Sequence, residues 1–339
     1  MPLAAVDGLY AVSLAFLVAL VYLALVRLVD LNEKEPFWAI SLAFVIGVAA
    51  SVIFDVSVGS TGLALEPVWG PVVTEAVRFL AVGATVLALR AIGRVRGWSE
   101  VSGMLDGIVY GVSVGLGFAV GAVLVAELNG LGAIGASGGL SAVWPVLLLG
   151  LSQGVYGGII GAGFGAAAER PGRGVATMSV IGAGVLAMMV HVAHDALGRG
   201  TSGAGNSVLR GRIALALPAL AIAVLVVAAI LRERRAIREQ LPSERETGAI
   251  EDADLAALSG FFARRAAYAR RFFGFDFDGW LDLRALHNRQ VQLAITKARA
   301  ARLSADDAAA ARAEADRLRA AILELKLAAR SETTAEVGA

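Results

Sequence analysis

Long apolar stretches separated by short polar loops fill the first two thirds of the chain. Seven of them, at about 8–29, 37–58, 68–89, 105–128, 142–168, 175–197 and 213–231, are long enough to cross a bilayer as helices. A span takes about 20 apolar residues because every backbone polar group must be satisfied within the segment. After residue 231 the apolar runs give way to charged, helix-patterned sequence. The pattern predicts an all-α fold with two parts: a polytopic membrane helix bundle of about seven spans over residues 1–231, and a soluble C-terminal helical tail over 232–339. The first stretch has no basic residues ahead of it and a longer apolar run than a signal peptide. A charged loop from Asp30 to Glu35 follows it, so it reads as a permanent span.

Composition sharpens the division. The chain is 57% hydrophobic and only 17% charged, with a mean hydropathy of +0.70, too apolar for a soluble protein of this length. Residues 1–231 hold 35 of the 40 glycines but only 11 of the 30 Lys and Arg. A net charge of +1 gives no reason to expect nucleic acid as a partner. The absence of cysteine excludes disulfides, iron–sulfur ligation, zinc-thiolate sites and a Cys nucleophile. The partners this leaves are the lipid bilayer and other membrane proteins.

The loops predict an orientation. Arg27 and Lys34 follow the first span, Arg90, Arg94 and Arg96 the third, and Arg170 and Arg173 the fifth, whereas the loops after spans two and four carry no Lys or Arg. Arg232, Arg234, Arg235 and Arg238 open the tail. The positive-inside rule then puts the N-terminus outside and the tail in the cytoplasm, with Arg199, Arg210 and Arg212 of the sixth loop opposing. Glycines recur at small-residue packing intervals: Gly103, Gly107, Gly111 and Gly115 on span four, and Gly150, Gly154 and Gly158 with Gly157, Gly161 and Gly165 on span five. Such faces let helix backbones approach closely in lipid.

Ionisable residues inside a span are costly, so each is a functional candidate. They are Asp55, Glu75, Arg78, Asp106, Glu127, His191, His194 and Asp195. Glu75 and Arg78 stand at i,i+3 and could simply neutralise one another. His191 shares a helical face with His194 and Asp195, a set suited to proton transfer, to metal binding or to a packed histidine pair. In the predicted topology Glu75 and the His191–Asp195 group both lie in the outer half of their spans and could meet across the bundle. Asp106 opens span four on the inner side and reads as a helix-start carboxylate favoured by the dipole.

These residues bring a family into view. Thr74-Glu75-Ala76-Val77-Arg78 resembles the EExx[KR] signature of PrsW-type intramembrane proteases, relatives of the CAAX-protease and bacteriocin-processing membrane proteins. Leu105-Asp106-Gly107-Ile108-Val109-Tyr110-Gly111, continuing to Gly117-Phe118-Ala119, resembles that family's DGxxYG…GFA segment. Gln153-Gly154-Val155-Tyr156-Gly157 with Gly161-Ala162-Gly163 resembles its TGxxG…GAxLG helix, and His191-Val192-Ala193-His194-Asp195 its HxxxN motif, with Asp for Asn. The resemblance covers residues 1–231. It implies cleavage of membrane-anchored protein substrates in a bacterial-type cell membrane, with Glu75, Arg78, His191 and Asp195 as the matching catalytic residues; His194, an extra beside the motif, completes the candidate catalytic set. A divalent metal such as zinc, held by Glu75, His191 and His194, or no metal at all, would fit that activity. The sequence departs from the family pattern at Thr74, at Ala122-Val123 where Glu-Asn is the rule, and at Leu149 where a histidine is. A catalytically degenerate relative acting as a membrane scaffold is therefore the alternative. A transporter is a third reading, without the paired repeats such folds show. Gly135-Ala136-Ser137-Gly138 also matches the GxSG motif of rhomboid-type serine proteases, within a Gly/Ala-rich loop.

In the tail, a basic helix over Arg232 to Glu239, a polar linker around Pro242 to Gly248, and helices over 253–273, 281–303 and 305–330 are predicted, with 331–339 disordered. Ser304 and Asp307 resemble a capping box. Ala311, Ala315, Leu318, Ile322, Leu325 and Ala329 form a seam for one partner helix, supplied by the tail itself, a second copy or another protein. Eight aromatics between Phe261 and Trp280 (Phe261, Phe262, Tyr268, Phe272, Phe273, Phe275, Phe277, Trp280) alternate with Arg264, Arg265, Arg270 and Arg271. They suit either docking on an anionic membrane or the core of a small domain. His287 reads as a lone surface residue and no titratable constellation is evident, so the tail's role is regulatory or structural.

Overall fold

The apolar stretches of the first 231 residues all become helices. A computed structural model describes residues 3–29, 36–61, 68–96, 101, 103–130, 142–169, 173–198, 204–260, 263–301, 303 and 305–337. Among them are eleven α-helices and no strand: α1 (Leu3–Val29), α2 (Phe37–Thr61), α3 (Trp69–Arg96), α4 (Met104–Leu128), α5 (Val143–Glu169), α6 (Arg173–Gly198), α7 (Ala204–Gln240), α8 (Asp252–Ser259), α9 (Ala263–Phe273), α10 (Phe277–Ala300) and α11 (Ala305–Val337). Seven are long and apolar enough to cross a membrane. Two compact units divide the chain, one up to Val227 and the other from Ala228.

In the first unit α4 is the axis. Its span is 89% buried, against 11% for the α6 span, so α4 is enclosed by protein while most of α6 is left to face lipid. Glycine makes the enclosure possible. A Cβ on Gly111 would lie 2.2 Å from the Gly157 carbonyl oxygen, and one on Gly157 would lie 2.1 Å from that of Gly111. The two backbones of α4 and α5 are thus in direct contact, where dispersion rather than the hydrophobic effect drives association in lipid. On another side of α4, Gly47 of α2 meets the Val114 carbonyl in the same way. Asp106 accepts the Gly103 backbone N–H at 3.0 Å, the helix-start role its position predicted.

The second unit is built from side chains. One core cluster joins Ile237, Leu241, Ile250, Leu258, Val291 and Ala294, and another joins Ala249, Leu293, Ala315 and Ile322. Ala311, Ala315 and Ile322 of the predicted seam are buried, with α11 packed along α10 of the same chain. Four expectations need correction. Residues 253–273 form two helices, because Gly260 takes an extended conformation between α8 and α9. α11 runs to Val337, through residues predicted to be disordered; no Pro or Gly interrupts it. Four of the aromatics are not core residues, since Phe273 and Phe275 are 77% and 81% exposed and Phe272 and Phe277 are exposed as well. His287 is buried, with its Nδ1 3.2 Å from the Tyr268 hydroxyl, on the α10 face that also carries Val291 and Ala294. Burial, aided by the positive charge of Arg264, pushes its imidazole down to about 4. Ser304, Phe261 and Phe262 lie outside the described residues.

The tail also holds the charged constellation its sequence did not reveal. Buried Glu244 accepts from Lys297 Nζ at 2.5 Å and from Arg319 at 2.6 and 3.0 Å, and from the Thr247 hydroxyl at 3.2 Å. These bonds tie the turn after α7 to α10 and α11. Asp254 accepts from Lys326 Nζ at 2.7 Å and from Gln290 Nε2 at 3.0 Å. Burial alone would raise the Asp254 carboxyl, but Lys326, the Glu251 backbone N–H and Gln290 outweigh it and hold the group below the usual carboxylate range.

Candidate functional site

Three helices of the first unit bring polar groups to one place, and a fourth adds an aromatic ring. On α3, Glu75 and Arg78 are spaced i,i+3, and both are fully buried. Arg78 NH1 donates to Glu75 Oε1. From α6, His191 reaches the same oxygen, with Nδ1 2.7 Å from Glu75 Oε1. Its other nitrogen, Nε2, is 3.8 Å from Asp195 Oδ1, one helical turn further on. Helix α5 contributes Gln153, whose Oε1 accepts from Arg78 NH2, and Tyr156, whose hydroxyl is 2.6 Å from His194 Nδ1. The Tyr156 ring stacks on His191 at a centroid separation of 4.5 Å and 18° between planes. Helix α4 closes the set with Phe118, whose ring lies 4.7 Å from the Arg78 guanidinium.

The buried guanidinium is therefore compensated from several sides: a carboxylate, an amide and two aromatic faces, the second being Tyr156 at 5.4 Å. Such pairing is what permits a charge within a membrane bundle. Glu75 is less evenly served. Its Oε1 takes both donors, whereas Oε2 is buried with no hydrogen-bond partner among the described residues, as is Arg78 Nε. An orphaned carboxylate oxygen inside a protein is costly unless something occupies it, such as a water molecule or a substrate group.

Glu75, Arg78, His191, His194 and Asp195 thus fall in one neighbourhood. Asp55 turns instead to Ser51 on its own helix, with Ser51 Oγ 3.1 Å from Asp55 Oδ2, and Glu127 lies against Gly8 of α1. Two of the positions where the family's polar residues are absent are packed apolar. Val123 is buried in the core cluster that includes Ala11 and Ala15, and Leu149 packs against it. Ser137 lies outside the described residues. Gln153 and Tyr156 were not singled out from the sequence. Their i,i+3 spacing on a Gly-rich span is the signal the sequence offers.

A metal centre needs several donors converging on one point. Here one atom of each candidate is engaged by a neighbour: His191 Nδ1 by Glu75, His194 Nδ1 by Tyr156, and Glu75 Oε1 by Arg78. Among the described residues no three His, Asp or Glu side chains are grouped to hold a metal ion. As arranged here they form no metal centre, while His191 Nε2, His194 Nε2 and Glu75 Oε2 are not taken up by these bonds.

Comparison with known proteins adds one finding. The family model described as PrsW family intramembrane metalloprotease matches residues 35–231. No curated protein and no solved structure matches the chain.

Proposed function

The chain belongs to the PrsW family of intramembrane proteases, and from that premise we propose that it hydrolyses membrane-anchored protein substrates with Glu75 as general base. The observation that carries this reading is the unequal state of the two Glu75 oxygens. Oε1 is fixed by Arg78 and His191, leaving buried Oε2 as the atom that can take a proton from water. In the proposed reaction, water held at Oε2 loses a proton to it while its oxygen bonds to the scissile carbonyl carbon. His194 donates to the oxyanion that develops. The tetrahedral species then collapses: the C–N bond breaks, and the proton on Glu75 passes to the departing amide nitrogen. Arg78 anchors the base and offsets its charge, and Asp195 orients His191.

The loop charges support an orientation with the N-terminus outside, the tail in the cytoplasm and cleavage near the outer face. No step is assigned to a metal. A second reading, a relative that binds membrane proteins without cutting them, is favoured by the apolar packing of Val123 and Leu149.

Cleavage of single-span substrates by the purified protein in lipid, beside Glu75→Gln, tests the proposal. The expected result is cleavage that persists in a metal chelator and is lost in Glu75→Gln. Cleavage that survives Glu75→Gln but is lost in Ser137→Ala would contradict it. Stoichiometric zinc that disappears in His191→Ala would replace the metal-free mechanism with a metal-dependent one.

A further inference from the structure

Tyr156 has no part in the mechanism above, yet it touches both histidines. Its ring lies flat on His191 and its hydroxyl reaches His194 Nδ1. We infer that Tyr156 is a positioning residue that fixes His194 as the Nε2–H tautomer, leaving that N–H as a donor. The inference rests on the proposed hydrolytic reading for its use, but its physical content does not depend on any substrate.

The chemistry follows from counting hydrogens. A phenol carries one O–H, and buried hydroxyls find acceptors. Among the described residues, the partner of the Tyr156 hydroxyl is His194 Nδ1, at 2.6 Å. If His194 donated from Nδ1 instead, the phenolic hydrogen would need a second acceptor. With the phenol donating, Nδ1 is the unprotonated nitrogen, and a neutral imidazole must carry its proton on Nε2. Each histidine then has a fixed state set by the residue beside it. His191 Nδ1–H is spent on Glu75, so that nitrogen cannot serve the oxyanion. His191 Nε2 is turned to Asp195, 3.8 Å from its Oδ1, so His194 Nε2–H is the imidazole donor left for the oxyanion. The stacked ring adds a second constraint, because tilting Tyr156 to release His194 would also lift it from His191.

The number of histidines makes the test direct. The chain has only three, His191, His194 and His287, so imidazole nitrogen resonances of the full-length protein in lipid can be assigned by single substitution. Histidine-selective 15N spectra are compared for the native protein and Tyr156→Phe, which keeps the ring and removes only the hydroxyl. The inference expects His194 Nδ1 to be unprotonated and hydrogen-bonded in the native protein. In Tyr156→Phe its resonance should move away from the hydrogen-bonded position while the tautomer becomes mixed. His191, which meets only the ring, should keep its resonances and so report that the bundle is intact. A proton on His194 Nδ1 in the native protein, or His194 spectra that coincide in the two proteins, would overturn it. Turnover supplies the second readout: Tyr156→Phe should lower kcat about tenfold with KM within about twofold. An unchanged kcat in Tyr156→Phe, where Glu75→Gln abolishes activity, would overturn the positioning role. Retained activity in Glu75→Gln would overturn the hydrolytic reading instead and leave the tautomer assignment to stand on the spectra.

Discussion

Each unit of this protein contains a buried glutamate facing two cationic or potentially cationic side chains, and the two glutamates are bonded differently. Glu244 in the tail spreads four hydrogen bonds over both oxygens, from Lys297, Arg319 and Thr247. Glu75 in the bundle concentrates Arg78 and His191 on Oε1 and leaves Oε2 without a partner. A carboxylate satisfied on every side is a cross-link, and its chemistry is used up in holding three segments together. One satisfied on a single side stays positioned while keeping an oxygen for another molecule. Burial and charge partners do not separate the two cases, because both glutamates have them. The distribution of donors between the two oxygens does.

The largest effect should come from separating α4 and α5, which carry Phe118, Gln153 and Tyr156 to the Glu75 site. Gly157→Leu would drive a side chain into the Gly111 carbonyl. It should cost more than about 3 kcal/mol in detergent-titrated unfolding of the bundle, while tail unfolding followed through Trp280 is unchanged. A tolerated leucine would mean that the backbone contact does not position the site.

Glu244→Gln acts on the other side of the comparison. It leaves Lys297 and Arg319 facing a neutral amide, and because both retain some contact with solvent the cost should be about 2 kcal/mol of tail stability. A Trp280-only protein, with the other four tryptophans replaced, reads this by urea unfolding. A loss confined to a few tenths of a kcal/mol would remove the distinction drawn between cross-linking and available carboxylates.

Acid should also weaken the tail. Buried His287 is held neutral, with its folded value displaced down to about 4 from an unfolded value near 6.5. The unfolded chain therefore binds the proton more readily below pH 6.5. The resulting stability is present above that pH and is lost as pH falls toward 4. By pH 5 the loss should be about 1–2 kcal/mol, and it should be absent in His287→Phe. The smallest change is expected at the exposed aromatics: Phe273→Ser should alter tail stability by less than about 0.5 kcal/mol, since Phe273 lies outside both core clusters.

The membrane bundle was the most legible part of the sequence, because a span is a matter of composition and length. Glu75 and the His191 group could be matched through their predicted depth in the bundle, and the structure places His191 against Glu75. Gln153 and Tyr156 were harder to see, because their i,i+3 spacing marks a shared face of the helix but not the partners that face meets. The Glu244 hub joins residues 53 and 75 positions apart in the chain, a relation no local periodicity encodes. His287 differs from the surface expectation because its spacing with Val291 and Ala294 puts it on a buried helical face, which the residue type alone does not reveal.

The central claim is that Glu75 is available for chemistry and Glu244 is not. One paired measurement tests it most directly: substrate cleavage in lipid and tail unfolding, recorded side by side for Glu75→Gln and Glu244→Gln. The account predicts that Glu75→Gln lowers cleavage by about a thousandfold or more while the tail unfolds as before. It predicts that Glu244→Gln weakens the tail by about 2 kcal/mol while cleavage stays within about twofold. Cleavage retained in Glu75→Gln would contradict it.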